Sequence, residues 1–560
     1  VGWWFDGFVG TSEWWRTATV YQIYPLSYAD ASGDGFGDLR GIIEHLGHLG
    51  GETDSLGVDA IWLSPIYRSP MVDFGYDVAD HCAVDHRFGS LQDADALISQ
   101  AHSRGLRVLL DFVPNHTSDQ HEWFERARRS RTDRYRDWYV WADPSPDGGP
   151  PNNWLSAFAR IGRAWTFDEP TGQYYLHSYT AQQPDLNWRN PAVRAAMHEV
   201  MRFWLDRGID GFRVDAPHRL GKDALLRDNA PDVVDLRVAT QLDDRRHRNL
   251  DDPAVHEILR GLRRVTDSYP DRVLIGEVGV HHPVRRRDYY GAGDELHLVF
   301  DFGFWSNLWR AEAFRRSGSE QHAVIEAGGW PTHALSNHDL SRHASRYAHR
   351  TATGLDTDAR ARAAAVLLTT LPGTTFLYYG EEIGMTDVAL PDEYVEDPDG
   401  RDPERTPMQW DFASPAAGFS PARPWLPVPQ AGPDVRTQSA DPHSLLSLYR
   451  DLLRLRRTHP CLRSAGYADV HTDPDVYAFR RPVGDRTLLV AINFADTPRA
   501  AKIQAERLDP NATVVVRTAA RPPGTTIDPS ELVLEPDEGL VLELPTGRFG
   551  SNATLLRAHK

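Results

Sequence analysis

Five groups of polar residues carry side chains suited to chemistry: Asp73 with Tyr76 on a glycine-bent loop, Asp111 with His116, Arg213 with Asp215, Glu277, and His338 with Asp339. The stretch Gly211-Phe212-Arg213-Val214-Asp215-Ala216 has the pattern of a buried strand that ends on a carboxylate. Arg213 stands two residues before Asp215, so at strand periodicity both side chains share a face. A fixed cation keeps a neighbouring carboxylate ionised, which suits a nucleophile. The plain alternative is a strand closed by a structural Arg–Asp pair. Glu277 follows the apolar run Val273 to Gly276, a setting that pushes a carboxyl toward neutrality and suits a proton donor. One ionised and one protonated carboxyl are what hydrolysis of a glycosidic acetal needs. Metal-assisted ester or amide hydrolysis is the rival chemistry, but the histidines lack the close spacing of a zinc helix motif such as HExxH. Trp and Tyr near these groups are suited to stacking on sugar rings.

Such residues need a scaffold that brings them to one mouth. Strand-like apolar runs occur at 20–28, 58–65, 106–113, 209–216, 273–278, 296–302, 332–336 and 375–379, with helical segments between them. Eight strands alternating with helices predict an α/β fold, a (β/α)8 TIM barrel, whose active site lies at the C-terminal ends of the strands. The polar groups cluster just after the third, fourth, fifth and seventh runs. From 117 to 186 the rhythm stops in a stretch rich in aromatics, Asp, Gly and Pro, too long for an ordinary connection. It predicts a subdomain inserted after strand 3, overhanging the site. A second excursion, 217–252, is highly charged. The segment Ser444 to Arg457 predicts an amphipathic helix closing the barrel. Beyond it, short alternating strands predict a C-terminal antiparallel β-sandwich. The expected division is barrel 1–116, inserted domain 117–186, barrel 187–466 and β-sandwich 467–560.

The 560 residues exceed one hydrophobic core, and 41% hydrophobic with 25% charged content is ordinary for a globular protein. A formal net charge of -18 argues against nucleic-acid or anionic-membrane partners. Two distant cysteines, Cys82 and Cys461, form neither a disulfide framework nor a thiolate metal site. No apolar run approaches the roughly 20 residues that cross a bilayer. The N-terminal stretch lacks the basic and apolar regions of a standard signal peptide, so a cytoplasmic location is expected, with secretion as the alternative. The loop Asp30-Ala-Ser32-Gly-Asp34-Gly-Phe36-Gly-Asp38 alternates oxygen-bearing side chains with glycines, which suits a hard cation such as Ca²⁺ in a structural role. It is not an EF-hand, since Gly41 stands where Glu is required.

The motifs DFVPNH, GFRVDA, GEV and SNHD, in that order and at barrel-strand spacing, resemble the four signature regions of the α-amylase family, glycoside hydrolase family 13. The resemblance extends to FGYD, QPDLN, YYGEE and RTPMQWD and runs from about Trp15 to the C-terminus. It implies that Asp215 is the nucleophile, Glu277 the acid/base and Asp339 the transition-state stabiliser of a retaining reaction. It implies that Asp73, Tyr76, His116, Arg213, His338 and Arg405 bind the non-reducing glucose. Asp30, Ser32, Asp34, the Phe36 carbonyl and Asp38 resemble the family's divalent-cation loop, for Ca²⁺ or Mg²⁺, with no organic cofactor implied. QPDLN resembles the exo-acting α-glucosidase and oligo-1,6-glucosidase group, and Ala216 resembles members that favour α-1,4 linkages. The implied substrate is a short oligosaccharide or glucoside, handled by a monomer or homodimer, with transglycosylation as a side reaction. The alternatives are an oligo-1,6-glucosidase, a trehalose synthase, or a sucrose isomerase or glucosyltransferase. A non-catalytic transporter-subunit homologue is more remote, because all three catalytic carboxyls are present.

Overall fold

The computed structural model describes residues 13–231, 247–280, 283–351, 354–356, 358–503, 511–519 and 524–545. Its central sheet holds β1 (Thr19–Ile23), β2 (Ala60–Leu63), β3 (Arg107–Phe112), β4 (Gly211–Val214), β5 (Val273–Gly276), β6 (Leu298–Val299), β7 (Thr332–His333) and β8 (Thr374–Tyr378). They run parallel in the order β6-β5-β4-β3-β2-β1-β8-β7. A bridge between Val299 and Pro331, and Thr332 donating to the Val299 carbonyl at 3.1 Å, join the two ends into a barrel. The strands are short and almost wholly buried, as sequences with apolar residues on both faces require.

Around them lie α1 (Leu91–Ser103), α2 (Pro191–Asp206), α3 (Ala254–Asp267), α4 (Ala311–Glu326), α5 (Asp358–Thr370) and α6 (Leu445–Thr458). Each is written locally. Ser90 and Asp93 form a capping box at the start of α1, and Asn190 caps α2 with Pro191 in the first turn. Val193, Met197, Val200, Met201, Trp204 and Leu205 bury one face of α2 at helical spacing. Gly208, at φ 102°, then turns the chain into β4. Gly211 begins that strand at φ 154°, and a Cβ there would stand 2.2 Å from the Val273 carbonyl oxygen. Only glycine lets β4 lie this close to β5.

The first expected strand ends early, because Pro25 pre-sets the helical φ and a turn of helix occupies Pro25–Tyr28. The run 296–302 also splits. Asp301 caps a helical turn at Phe302–Trp305, accepting from the Gly303 and Phe304 amides.

Between β3 and α2, strands Trp141–Ala142, Gln173–Leu176 and Trp165–Asp168 form an antiparallel sheet of their own. The segment after β4 packs on it: Trp154 Nε1 donates to the Arg227 carbonyl and Asn152 Nδ2 to the Leu226 carbonyl, each at 2.9 Å. Residues 232–246 of the expected charged excursion lie outside the described residues. C-terminal to α6, a six-stranded antiparallel sheet spans 468–544, with a two-stranded sheet of 499–500 and 533–534 beside it. One of its faces joins the barrel core through Tyr477, Phe479, Leu488, Val490 and Ile492.

Lys222 ties the inserted sheet to the barrel. Its ammonium reaches the Asn115 side-chain oxygen at 2.9 Å, the Asp185 carboxylate at 3.0 Å and the Arg219 carbonyl at 2.6 Å. Three segments far apart in sequence thus meet on one buried cation. Lys222→Met would leave Asp185 buried without its partner, a loss of about 3–5 kcal/mol. The expected outcome is a lower apparent Tm and faster proteolysis within 117–186, read by thermal scanning and limited trypsin digestion; unchanged digestion would contradict it.

Candidate active site

Strand register sets the site. Arg213 on β4 lies opposite Asp111 on β3 and Ile275 on β5, and Val214 lies opposite Gly276. Glu277, one step beyond Gly276, is therefore level with Asp215. The Asp215 amide donates to the Phe112 carbonyl at 2.8 Å and the Glu277 amide to the Val214 carbonyl at 3.0 Å, extending the ladder past the strand ends. Arg213 sits at the centre. Its Nη1 donates to Asp111 at 2.5 Å and to Asp215 at 2.8 Å, and its Nη2 stands 2.5 Å from Glu277. The guanidinium lies over the Trp62 ring at 5.3 Å, and Trp62 Nε1 donates to the other oxygen of Asp111. After Asp215 the chain turns through Ala216, held in the left-handed region at φ 39°.

The loop before the third strand brings in Asp73 and Tyr76. Met71, Phe74 and Gly75 all have positive φ there, and Asp77 fastens the loop by accepting from the Val72 and Asp73 amides. The Tyr76 hydroxyl donates to Asp111 at 3.1 Å and lies 2.6 Å from His338 Nε2, while its ring stacks on the His338 imidazole. Gln22 Nε2 contacts His338 Nδ1 at 2.8 Å, so the ring proton is placed on Nε2, facing Tyr76 and Asp339. His116 is held by the Tyr76 carbonyl and Gln183. Gln183 also donates to Asp73 at 2.8 Å, which gives the QPDLN stretch a direct place at the site. The nine expected residues thus form one connected network.

Residues that the sequence reading passed over complete it. Arg401 donates from Nη1 to Asp339 and from Nη2 to Asp73, both at 2.7 Å, and lies over the Phe158 ring at 4.9 Å. Asp397 fixes Arg401 from behind, accepting from its amide, Nε and Nη2, and also accepts from Arg405 Nη1 at 3.0 Å. Arg405 lies deeper, donating to the His338 carbonyl at 2.8 Å and reaching Asp339 only at 3.4 Å. Arg401, four residues before the RTPMQWD motif, was findable only as a second arginine in a loop without periodicity.

Burial raises Asp215 and Glu277 together. Arg213 opposes this in both, and Glu277 is raised further, in part by the neighbouring Asp215. The favoured single-proton state leaves Asp215 ionised and Glu277 protonated. Burial also works against ionised Asp339, but the His338 Nε2–H at 3.2 Å and the cations Arg401, Arg405 and Arg213 hold it well below the usual carboxylate range. Burial lowers His116 to about 4 and His338 to about 3, so both are neutral hydrogen-bonding groups near pH 7.

Among the described residues, the Asp30–Asp38 loop makes no hydrogen bond to this network. Asp30 accepts from Gly33, Gly35, Ser32 and Ser420, and Asp38 from Ala31, Ser32 and Gly41. Asp34 accepts from the Phe36 amide. The donor set is all oxygen, the type Ca²⁺ takes, but among the described residues these carboxylates are not gathered as a metal-holding group, and the loop already closes on itself through its own amides.

The family model for the alpha amylase catalytic domain matches residues 22–465. A probable alpha-glucosidase of Rhizobium meliloti (strain 1021) is 41% identical over 526 residues, spanning 89% of this chain and 92% of that one. An oligo-1,6-glucosidase of Parageobacillus thermoglucosidasius is 37% identical over 528 residues, spanning 86% and 91%. Among solved structures, the alpha-glucosyl transfer enzyme XgtA is similar with a TM-score of 0.85 and 37% identity, covering 96% of this chain and 100% of that one.

The carboxyl pair gives a pH prediction. A rate that needs ionised Asp215 falls as pH drops through its raised pKa, and one that needs protonated Glu277 falls as pH rises through its own. Turnover of p-nitrophenyl α-glucoside and of maltose should be bell-shaped with a maximum near neutrality. Glu277→Gln should remove the alkaline limb from whatever rate remains; an alkaline limb that survives in this variant would assign that proton elsewhere.

Proposed function

The chain belongs to the α-amylase family of glycoside hydrolases, and from that premise we propose that it is a retaining, exo-acting α-glucosidase. It releases α-glucose from the non-reducing end of short α-1,4-linked oligosaccharides and α-glucosides. Asp215 attacks the anomeric carbon while Glu277 protonates the departing glycosidic oxygen, giving a covalent β-glucosyl enzyme. Glu277, now a carboxylate, then takes a proton from water, which displaces Asp215 and restores the α-anomer. Neutral His338 and His116, with Asp73, Arg213 and Asp339, supply hydrogen bonds to the sugar. Arg405 stands behind Asp339, and Tyr76 offers its ring.

The observation that carries the retaining assignment is the shared guanidinium of Arg213. Two carboxyls held by one planar group stand close together, as the roughly 5–5.5 Å separation of retaining enzymes requires. What supports exo action is the Arg401 bridge from Asp73 to Asp339, which closes the far side of the sugar site. Asp339, kept ionised by its cationic neighbours, faces the charge that develops on the ring in the transition state.

The test is product analysis by proton NMR with maltose, isomaltose, trehalose and sucrose supplied separately. Fast release of α-glucose from maltose is expected. A higher rate on isomaltose would make the chain an oligo-1,6-glucosidase. Isomerised or transferred products with little free glucose would make it a synthase or transferase.

A structural Ca²⁺, with Mg²⁺ as the weaker substitute, is proposed at Asp30, Ser32, Asp34, the Phe36 carbonyl and Asp38. Because the loop closes without it, EDTA should leave activity largely intact. Millimolar Ca²⁺ should raise Tm in the unmodified chain and not in Asp34→Asn, which keeps its amide acceptor but loses charge. An identical Tm with EDTA and with Ca²⁺ would overturn the proposal.

A further inference from the structure

Four residues beyond Asp215, Arg219 ends the short turn Pro217–Arg219. Its side chain is buried, with 6% of the residue exposed. Among the described residues, Nη1 has no hydrogen-bond partner and no carboxylate lies within ion-pair distance of the guanidinium. The other buried arginines of the site, Arg213, Arg401 and Arg405, each hold two or more carboxylates. A desolvated guanidinium nitrogen without an acceptor is costly, and a ligand that supplies one recovers that cost.

Arg219 has a defined place. Its carbonyl is fixed by Lys222 at 2.6 Å. Its guanidinium lies over the Tyr179 ring at 5.5 Å. Tyr179 meets the His116 and Phe158 rings edge-on, each at 5.2 Å, and Phe158 carries Arg401. Arg219, Tyr179, Phe158 and Arg401 thus form a continuous series, two rings with a cation at each end. Arg401 ends it on the glucose-binding side. The Arg219 end lies toward the proton donor, because the adjacent His218 accepts from the Gly279 amide at 3.1 Å, two residues past Glu277. A Cβ on Gly279 would stand 2.8 Å from the His218 ring, so the two segments are in close contact.

The acid/base carboxyl delivers its proton to the leaving oxygen, so the leaving group departs on the side where Glu277 stands. We infer that Arg219, over Tyr179, is a specificity-determining residue that donates to hydroxyls of a leaving sugar. The preferred leaving group is then a second pyranose ring rather than an aryl or alkyl alcohol. The pyranose presents hydroxyl acceptors to the guanidinium and an apolar face to Tyr179. An aryl group gains only the stacking. This inference rests on the α-glucosidase reading.

The test is the ratio of kcat/KM for maltose to kcat/KM for p-nitrophenyl α-glucoside, in the unmodified enzyme, Arg219→Gln and Arg219→Lys. Both transfer the same glucosyl group, so a role confined to folding or to Asp215 moves the two together. Arg219→Gln is expected to lower the ratio about tenfold or more, with Arg219→Lys between it and the unmodified chain. If Arg219→Gln does not fold, Arg219→Lys decides by the same ratio, since it keeps the charge and loses the planar fork. A ratio within twofold of the unmodified enzyme overturns the inference alone. Unmodified enzyme inert on both substrates overturns the α-glucosidase reading and this inference with it.

Discussion

Arg213 donates from one nitrogen to Asp111 on β3 and to Asp215 just past β4, and its other terminal nitrogen meets Glu277 just past β5. That single planar group sets the spacing of three adjacent strand ends. It also sets their protonation, because it opposes burial in all three carboxyls at once. The barrel's contribution is the register that puts Asp111 opposite Arg213 and Glu277 level with Asp215. A slip of one residue in β4 would turn both Arg213 and Asp215 away from the mouth. Gly211 protects against that slip by allowing a backbone approach to β5 that no side chain permits.

Around this centre, each further group proposed to bind the sugar is held by a partner with a supporting role. Gln22 fixes the tautomer of His338, and Asp77 bends the loop that carries Asp73 and Tyr76. Asp397 aims Arg401, and Lys222 fastens the inserted sheet through Asp185 and Asn115. The supporting groups are as deeply buried as the groups they orient. The resulting rigidity is what lets hydrogen bonds act on a transition state without reorganising.

The parts legible in the sequence were those written in local periodicity. Apolar runs marked all eight strands, and a carboxylate at the end of a run marked Asp215 and Glu277. Where strands stopped was less legible, because Pro25 and the Asp301 cap act through backbone φ and amide capture rather than hydrophobicity. Among site residues, the family motifs pointed to Arg405, yet Arg401 is the one that bridges Asp73 and Asp339. Both stand in the same 3₁₀ turn region, and only the fold says which guanidinium joins those two carboxylates. Lys222 was hidden for another reason: a lone lysine in a charged stretch looks solvated until Asp185 and Asn115 close around it.

The charge of the site follows from the same contacts. Asp111, Asp215 and Glu277 gather on Arg213, and Asp73, Asp339 and Asp397 on Arg401 and Arg405, the two clusters being linked into one network through Tyr76 and His338. Carboxyls outnumber guanidiniums two to one, so the network stays negative even with Glu277 protonated. An uncharged sugar gains little from that excess, but an anomeric carbon that acquires positive charge on the way to the transition state gains much. The proton on Glu277 is what makes this arrangement tenable before substrate arrives. Transferring it to the leaving oxygen restores the full negative charge at the moment the ring becomes cationic. The three arginines spread along the network keep that charge from expelling the carboxylates from one another. Arg219, which among the described residues has no carboxylate of its own, stands outside this balance, and its unpartnered Nη1 is what the leaving-group inference rests on.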